Sequence, residues 1–513
     1  MLKRILVAGV LLLGLYTGAG ATTWYVSKTG NDTRGGTSWG QAWLSLTNVN
    51  DSTRVRSGDT VQFATGIWRE QLIVRHGANG APTVYADSAF ADVNGSGTSH
   101  FARFYGSDKL TTWTRIGTSS VYWCLHPRSV TATALYQNDS ILWLKPSLVS
   151  VNSAGKWYQS ADTVYAWAYG GSDPDNYEME IADIQNLVVG NRGTTPQSYV
   201  TFYGLAFKYT YNHMFGGFGG DGITTNADYI TFNRCYLSHN AGQGGNNPSL
   251  IYIGMSNTDA DASVGWRFVN DSLGYDWDWY SNNDQSSSSV NACCIDVYIS
   301  QGWLIEGCTF FGFQGQATIH FKSAQNTSAW TENDTLRYNV FGGRTLSSLK
   351  LYHRVRYLSI YGNIFRNAYA NFLLAYGNTT ITGTPGYHEI FNNSSYGATR
   401  WFEQANFEDN PCVLRPYAGQ HHIKLRYNVV YSTGSVGIIT DTVSMYDGAQ
   451  SIDSNLYVSG SNTYSRVGLA CGMTNQSLTT WQNTYGFDQR SRWSTTNPFD
   501  NINATDPWQG YAR

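Results

Sequence analysis

Charged residues are scarce in this chain, and their scarcity excludes one class of function. Only 13% of the 513 residues are Asp, Glu, Lys or Arg, and the formal net charge is −3 with an isoelectric point near 6.4. A chain with this balance has no basic surface field that would attract nucleic acid. We therefore expect no nucleic-acid partner.

Long apolar runs are also missing, except at the N-terminus. The run at 5–15 follows two basic residues and precedes small residues at 19–21, which have the spacing that signal peptidase reads. This pattern predicts a signal peptide over residues 1–21 and a secreted or cell-surface protein of a bacterium-like cell. A single membrane anchor is the alternative, and the shortness of the run disfavours it. No later segment is long and apolar enough to span a bilayer, so we expect no membrane contact after signal removal.

Cysteine patterns typical of metal sites and disulfide scaffolds are absent. The seven cysteines are scattered, and their spacing matches neither a zinc site nor a compact disulfide framework. We expect them to be buried as small apolar groups. The histidines at 421–422 have no third ligand at metal spacing. The sequence therefore predicts no metal ligand.

Glycine and aromatic residues, in contrast, are abundant, and a repeat runs through the middle of the chain. The 53 Gly, 36 Tyr, 22 Phe and 18 Trp are typical of a β-rich fold with many turns. Nine segments resemble "LRYNVF" (336–341) and "IYGNIF" (360–365), at intervals of 24 to 37 residues. Such variable intervals indicate the coils of a solenoid that loops of different length interrupt. The fourth residues of the nine segments are Leu205, Cys235, Asp271, Cys308, Asn339, Asn363, Asn393, Asn428 and Asn455.

The recurring asparagine identifies the kind of solenoid. An Asn at the same bend of successive coils can bond its side-chain amide to the backbone of the next coil. We therefore predict an all-β fold, a right-handed parallel β-helix (a single-stranded solenoid), in which Asn339, Asn363 and Asn428 stack. A β-sandwich is the structural alternative, but its strands should recur about every 8–12 residues, which is more often than these segments do.

The two ends of the chain favour the same architecture. "TTWYVSKTGNDTRGGTSWGQAW" (22–43) with "SGDTVQFATGIWRE" (57–70) resembles the opening of secreted right-handed parallel β-helix proteins of the pectate-lyase-like superfamily, and "SLTTWQNTYGFDQRS" (477–491) resembles their closing segment. The resemblance implies the fold but not the reaction, because that superfamily holds lyases, hydrolases, epimerases and non-catalytic fibres. The predicted divisions are an N-terminal cap with irregular first coils or an insertion, then the regular coils, then a closing segment, at 22–196, 197–460 and 461–513.

A candidate site lies around the strand "TIHFKSA" (318–324). Together with "CIDVYI" (294–299) and "SLKLYH" (348–353), it forms three successive strands whose apolar residues alternate with polar ones. Stacking them in register buries Ile295, Val297, Ile319, Phe321, Leu349 and Leu351. The outward side chains then form one polar patch of Asp296, Tyr298, His320, Lys322, Lys350 and Tyr352.

The patch has the residue types that β-elimination of a uronic-acid polysaccharide needs. The reaction requires a base, a group that neutralises the sugar carboxylate, and an acid for the leaving oxygen. We expect Lys322, crowded by Lys350 and His320, to have a lowered pKa and to act as base, with Tyr352 as acid. Asp296, Tyr298 and Lys350 are candidate substrate contacts. The aromatic segment "DWDWY" (276–280) adds Trp277 and Trp279 as a wall on which sugars could stack.

A narrower resemblance supports the same strands. "IHFKSAQN" followed by "LRYNVFGGRTLSSLKLYHRV" is similar to the central coils of the chondroitinase B and alginate lyase family. The resemblance implies that Lys322 is the base. The family's catalytic Arg falls on Tyr352 and its next His on His353, with Arg354 close by as a substitute. Calcium is a cofactor in that family, but its acidic stretch falls at 246–254, which has no acidic residue, so no cofactor is certain.

Three other interpretations of the sequence stay open. The patch can be an ordinary solvated face of a solenoid. An inverting glycoside hydrolase of the polygalacturonase type would need two carboxylates, and Glu403 or Glu408 could join Asp296. A non-catalytic fibre that binds glycans or assembles with itself is the third, since open coil ends invite stacking. Asp221, in a glycine-rich segment, is a weaker candidate for a binding loop than for a turn cap.

Overall fold

The structure is a computed structural model, and nearly all of its regular secondary structure is β. It describes residues 20–89, 100–126, 132, 134–192, 195–219, 226–240, 249–254, 261–274, 293–311, 314–323, 329–342, 344–352, 354–366, 370–376, 387–396, 412–415, 422–432, 437–441, 451–459, 469–470, 478–485 and 489–494. Two short helices are described, α1 (Thr47–Asn50) and α2 (Leu478–Tyr485). No helix in this part of the chain is long and apolar enough to cross a membrane.

Three long parallel sheets form the body of the molecule, and most coils contribute one strand to each sheet. The strands of sheet 1 are, in spatial order, β1 (Thr23–Val26), β2 (Thr60–Phe63), β5 (Thr83–Asp87), β18 (Val200–Tyr203), β21 (Ile230–Asn233), β25 (Arg267–Val269), β29 (Leu304–Glu306), β33 (Thr335–Arg337), β37 (Ser359–Tyr361), β40 (Tyr387–Phe391), β43 (His422–Arg426) and β46 (Ser451–Asp453).

Sheet 2 follows sheet 1 in every coil. Its strands are β3 (Gly66–Trp68), β6 (Ala102–Tyr105), β19 (Ala206–Thr210), β22 (Tyr236–Asn240), β26 (Ser272–Gly274), β30 (Thr309–Phe311), β34 (Val340–Phe341), β38 (Ile364–Arg366), β41 (Ser394–Tyr396), β44 (Val429–Ser432), β47 (Leu456–Ser459) and β49 (Arg492–Ser494).

Sheet 3 completes the coil. Its strands are β4 (Leu72–Ile73), β15 (Asn186–Val189), β20 (His213–Gly216), β23 (Ser249–Ile253), β27 (Cys293–Tyr298), β31 (Gln314–Lys322), β35 (Arg344–Tyr352), β39 (Ala370–Tyr376), β42 (Cys412–Arg415), β45 (Gly437–Asp441) and β48 (Leu469–Ala470). A four-stranded sheet lies on the turn back to sheet 1, with β24 (Ser263–Val264), β28 (Ser300–Gln301), β32 (Thr331–Glu332) and β36 (Val355–Arg356). This topology is the predicted parallel β-helix.

The stack of coils starts well before residue 197. Strands β1, β2 and β5 already pair in parallel and continue directly into β18. Between β6 and β15 the chain leaves the coils and forms an eight-stranded, mainly antiparallel sheet with its own core. The strands of this inserted sheet are β7 (Ser107–Leu110), β8 (Thr114–Arg115), β9 (Tyr122–Leu125), β10 (Ala134–Gln137), β11 (Ser140–Leu144), β12 (Lys156–Ser160), β13 (Thr163–Trp167) and β14 (Met179–Ala182), and a hairpin, β16 (Asn191–Arg192) and β17 (Thr195–Pro196), follows β15.

A buried ion pair joins the inserted sheet to the first coil. Arg69, which follows β3, donates from Nη2 to Glu180 Oε1 at 2.6 Å, and Ser107 Oγ donates to Glu180 Oε2 at 2.8 Å. Glu180 lies on β14 and is fully buried. Bidentate pairing with a guanidinium compensates for burial of a carboxylate, so this contact fixes where the sheet sits on the coils.

The predicted asparagine ladder is present and confirmed. The backbone N–H of Cys308 donates to Asn339 Oδ1 at 2.8 Å, and that of Asn339 donates to Asn363 Oδ1 at 2.9 Å. The same bond repeats through Asn393, Asn428 and Asn455, where Ser491 Oγ ends the series. The residue before each of the nine ladder positions has a left-handed backbone, with φ between 54° and 68°: Gly204, Arg234, Asn270, Gly307, Tyr338, Gly362, Asn392, Tyr427 and Ser454. Each bend is therefore a left-handed residue followed by a buried ladder residue.

Removing one rung of this ladder should destabilise the solenoid. Asn363 is buried, accepts from the Asn339 backbone and donates through Nδ2 to Leu336 O at 2.9 Å. We expect Asn363→Ala to lower the free energy of unfolding by about 3 kcal/mol, because it leaves a buried N–H and a buried carbonyl without these partners. Chemical denaturation measures the effect. Ser359→Ala, on the outer face of β37, is the control and should change it by less than about 0.5 kcal/mol; equal effects of the two variants would contradict the rung's role.

A second buried carboxyl should make stability depend on pH. Asp334 accepts from Ser300 Oγ at 2.5 Å and from Trp303 N–H at 2.8 Å, and burial raises its pKa to about 7. Because the native state holds this proton more tightly than the unfolded chain, stability should fall as pH rises from about 4 to about 7, by up to about 1.4 kcal/mol per pH unit. Asp334→Asn should flatten the profile over that window. Denaturation curves at several pH values test this, and an unchanged slope in the variant would refute it.

Candidate active site

Three adjacent strands of sheet 3 bring the predicted patch together in the predicted register. Asp296 on β27 pairs with His320 on β31, which pairs with Lys350 on β35. One step along the strands, Tyr298, Lys322 and Tyr352 form the parallel row. The apolar residues between them, such as Ile319 and Phe321, belong to the main core. The alternation in "TIHFKSA" thus correctly predicted which side chains lie on which face.

The burial of these side chains differs from the expectation. The polar patch was predicted to point outward, but the exposed fractions of Asp296, His320, Lys322 and Lys350 are only 0%, 2%, 4% and 6%. Tyr298 and Tyr352 keep intermediate exposure. Alternation along a strand tells which face a side chain leaves from, and it cannot tell whether other parts of the chain cover that face. The tyrosine row is therefore the more accessible side of the site.

Lys322 is held in a buried ion pair, which corrects the expectation for its pKa. Its Nζ donates to Asp296 Oδ2 at 2.8 Å and lies 4.7 Å from the ring centroid of Tyr298. Burial is the largest influence and lowers the pKa of Lys322, but Asp296, with Tyr298 and Cys293, together outweigh burial and raise this pKa above its ordinary value. The Asp296 charge was not paired with Lys322 in the sequence-based prediction. Lys322 is therefore a permanent ammonium and is unsuited to act as a base.

Lys350 has the lowered pKa that was expected of Lys322. Burial lowers the pKa of Lys350 to about 8, and the ammonium of Lys322 acts in the same direction, while Cys293 and Asp296 oppose it. Its Nζ lies 5.5 Å from the ring centroid of Tyr352. An amine with this pKa is partly neutral near pH 7 and can accept a proton. The site thus holds one ammonium and one basic amine on neighbouring coils.

The remaining predicted residues divide into those near this pair and those outside the described residues. The imidazole of His320 has Nδ1 3.6 Å from Asp296 Oδ1, and its ring meets that of Tyr352 edge to face at 6.0 Å. Arg354 is partly exposed just after β35, where its backbone N–H donates to Ser323 Oγ at 2.6 Å. The candidates that lie outside the described part of the chain are Trp277, Trp279, His353, Asp221, Glu403, Glu408 and His421.

Sequence reasoning missed two members of this site, Cys293 and Tyr252. The Cys293 sulfur, a carboxylate oxygen of Asp296 and a ring nitrogen of His320 all lie within 4.8 Å of one another. Strict alternation would direct Cys293 into the core with Ile295, but Cys294 packs there instead. Tyr252 on β23 pairs with Asp296 and stacks on His213 at 4.3 Å. The alternation of "SLIYI" (249–253) gave a signal for Tyr252.

These donors do not fit calcium, the cofactor that the family resemblance raises. In most protein sites calcium takes about six to eight oxygen ligands. The described cluster offers one carboxylate, one thiol and one imidazole, and the carboxylate is already bonded to the ammonium of Lys322.

Comparisons with known proteins show the fold. No family model matches the chain, and no curated protein sequence is similar enough to count as a relative. The structure of XylC in complex with xylose superposes with a TM-score of 0.53 at 10% identity, covering 93% of this chain and 86% of that one. A glycoside hydrolase superposes with a TM-score of 0.51 at 12% identity, covering 81% of this chain and 94% of that one. At such identities the likeness is one of fold alone.

Proposed function

We propose that this protein is a secreted polysaccharide lyase that cleaves a uronic-acid-containing polymer by β-elimination. The observation that carries the proposal is the pair of lysines on adjacent coils, one held as an ammonium by Asp296 and the other with its pKa lowered to about 8. Elimination next to a carboxylate needs a basic group and a fixed positive charge together. Lys350 and Lys322 supply these two properties.

In this mechanism Lys350 is the base. Its neutral Nζ removes the proton on the carbon next to the sugar carboxylate, and negative charge develops on that carboxylate. The electron pair then forms the carbon–carbon double bond, and the bond from the neighbouring carbon to the glycosidic oxygen breaks. Tyr352, beside Lys350, donates its hydroxyl proton to the leaving oxygen. The tyrosine is afterwards reprotonated from Lys350, which restores both groups.

Two cationic side chains, Lys322 and Arg354, stabilise the developing charge. Lys322 stays charged throughout because it is bonded to Asp296. Arg354 is partly exposed at the end of β35 and is the proposed contact for the sugar carboxylate. The family resemblance places a catalytic Arg at Tyr352. In this mechanism its positive charge comes instead from Lys322, which pairs with Tyr352 from the preceding coil, and from Arg354, two residues later.

Two solved structures with a similar fold support a carbohydrate as the substrate. One similar structure is a complex with xylose, and another is a glycoside hydrolase. The second keeps inverting hydrolysis as the alternative function. That chemistry needs two carboxyl groups about 6.5–9.5 Å apart. In the described residues of the site Asp296 is the carboxylate present, and Lys322 engages it, which favours elimination.

A fibre that assembles end to end is less favoured by the N-terminal edge of the stack. The outer edge of β1 is covered by the segment at 36–43: Tyr25 N–H donates to Gly36 O at 2.8 Å, and Ser27 N–H donates to Trp43 O at 2.8 Å. An edge whose backbone groups are already bonded offers no template for a second copy.

Digestion of a panel of polymers tests the proposal. Alginate, polygalacturonate and chondroitin would be incubated with the protein, and the ultraviolet absorbance of the unsaturated product would be followed beside the formation of reducing ends. A lyase produces both signals. Reducing ends without the new absorbance would replace elimination by hydrolysis, and neither signal on any uronic-acid polymer would overturn the proposal.

A further inference from the structure

A row of aromatic side chains lies on sheet 1, a different face of the coil from the candidate active site. It comes from four consecutive coils and consists of Tyr361 and Phe391, the last residues of β37 and β40, and of Tyr338 and Tyr427, at the bends just after β33 and β43; we call it the aromatic strip. The rings of Tyr361 and Phe391 are stacked at 4.8 Å with an interplanar angle of 11°. Tyr338 meets Tyr361 edge to face at 5.7 Å. Coils are about 4.8 Å apart, so the strip extends about 14 Å along the solenoid.

Two members of the strip are unusually exposed. The side chains of Tyr338 and Tyr427 are 60% and 57% exposed, although both are large aromatic residues. Both also have a left-handed backbone, with φ of 58° and 57°. This conformation costs a bulky residue about 1–2 kcal/mol and is where other coils carry Gly362 or Asn392. A conformationally costly residue that leaves more than half of its side chain exposed points to a role in binding.

The surroundings of the strip fit a sugar polymer better than another protein. Arg337 donates to Tyr361 Oη at 3.1 Å and to Glu306 Oε2 at 2.8 Å, and Arg426 is exposed beside Phe391. Arg is common in protein interfaces, but Glu is depleted from them, and here Arg337 is already paired with Glu306. Aromatic faces combined with fixed guanidinium and hydroxyl groups suit sugar rings, which have apolar faces and polar edges that carry hydroxyls or carboxylates.

We propose that the aromatic strip is a second glycan-binding surface, which holds an extended chain of the uronic-acid polymer away from the site where it is cleaved. The polymer would run along the solenoid axis, with its rings over the four aromatic side chains and its carboxylates toward Arg426. The identity of the glycan rests on the proposed lyase function, whereas the binding surface itself is independent of it.

The test replaces the exposed tyrosines by the residue that other coils use at the same bend. Tyr338→Asn with Tyr427→Asn should leave the melting temperature unchanged or raise it, because Asn tolerates the left-handed backbone. Affinity electrophoresis in gels containing alginate, polygalacturonate or chondroitin measures binding. For the polymer that retards the wild-type protein in the gel, we expect the double variant to bind at least about tenfold more weakly than the wild type. Trp123→Ala, an exposed aromatic on the inserted sheet, is the matched control and should bind normally.

The outcomes separate this proposal from the lyase mechanism. The double variant should keep wild-type turnover on short oligosaccharides and lose activity on the long polymer, whereas an active-site variant should lose both activities and keep binding. Unchanged binding in the double variant, or an equal loss in Trp123→Ala, would overturn the strip as the binding surface. A dimer in solution that the double variant abolishes would replace the glycan by a second copy of the chain.

Discussion

Replacing Lys350 by methionine is expected to lower kcat on the susceptible polymer by about two to four orders of magnitude, the usual contribution of a positioned general base. Methionine fills a similar volume, and the lysine it replaces has its pKa lowered to about 8 by burial and by Lys322. Removing a buried amine with this property should leave the fold intact. Product absorbance gives the rate, and thermal denaturation verifies the fold.

The pH profile distinguishes a base from a merely structural lysine. The amine must be neutral to accept a proton, so kcat/KM of the wild type should rise with pH, reach half its maximum near the pKa of about 8, and level off above it. Lys350→Arg keeps the charge but cannot lose its proton, and it should be inactive at every pH. A Lys350→Arg variant with wild-type activity would remove Lys350 from the base role.

The fold was largely predictable because its signal is local and repeated. Each coil needs a small or amide-bearing residue at one bend, and the asparagines from Asn339 to Asn455 stand at that bend in the structure. The inserted sheet between β6 and β15 was less predictable because its strands pair with one another and share no repeat with the coils. Repetition therefore identifies the solenoid and is silent about what interrupts it.

The site was predictable in position and not in electrostatics. The alternation along three strands was enough to predict, from the sequence, the rows that contain Asp296 and Lys322. The roles of the two lysines depend on which ammonium reaches the Asp296 carboxylate. Lys322 does so at 2.8 Å and has a raised pKa, whereas the pKa of Lys350 is lowered. Such a difference arises from distances and burial in three dimensions. Two lysines in equivalent strands look alike in a sequence.

The buried pair also makes Lys322 a residue whose loss should strongly destabilise the fold. Lys322→Met leaves the fully buried Asp296 carboxylate without its ammonium. We expect the free energy of unfolding to fall by about 3–5 kcal/mol, as for other buried pairs that lose one partner. Lys424→Met, which breaks the exposed pair with Glu389 at 3.1 Å, should cost at most about 1 kcal/mol.

A double substitution tests the cause of that loss. Lys322→Met combined with Asp296→Leu removes both charges, so it should recover most of the stability lost in the single variant. In Lys322→Met alone, Lys350 loses a repelling ammonium and faces an unpaired carboxylate, and both changes raise its pKa. Any remaining activity of that variant should therefore require a higher pH than the wild type needs. Urea denaturation and pH–rate profiles measure the two effects, and a double variant as unstable as the single one would show that Lys322 stabilises the coil by packing and not by its charge.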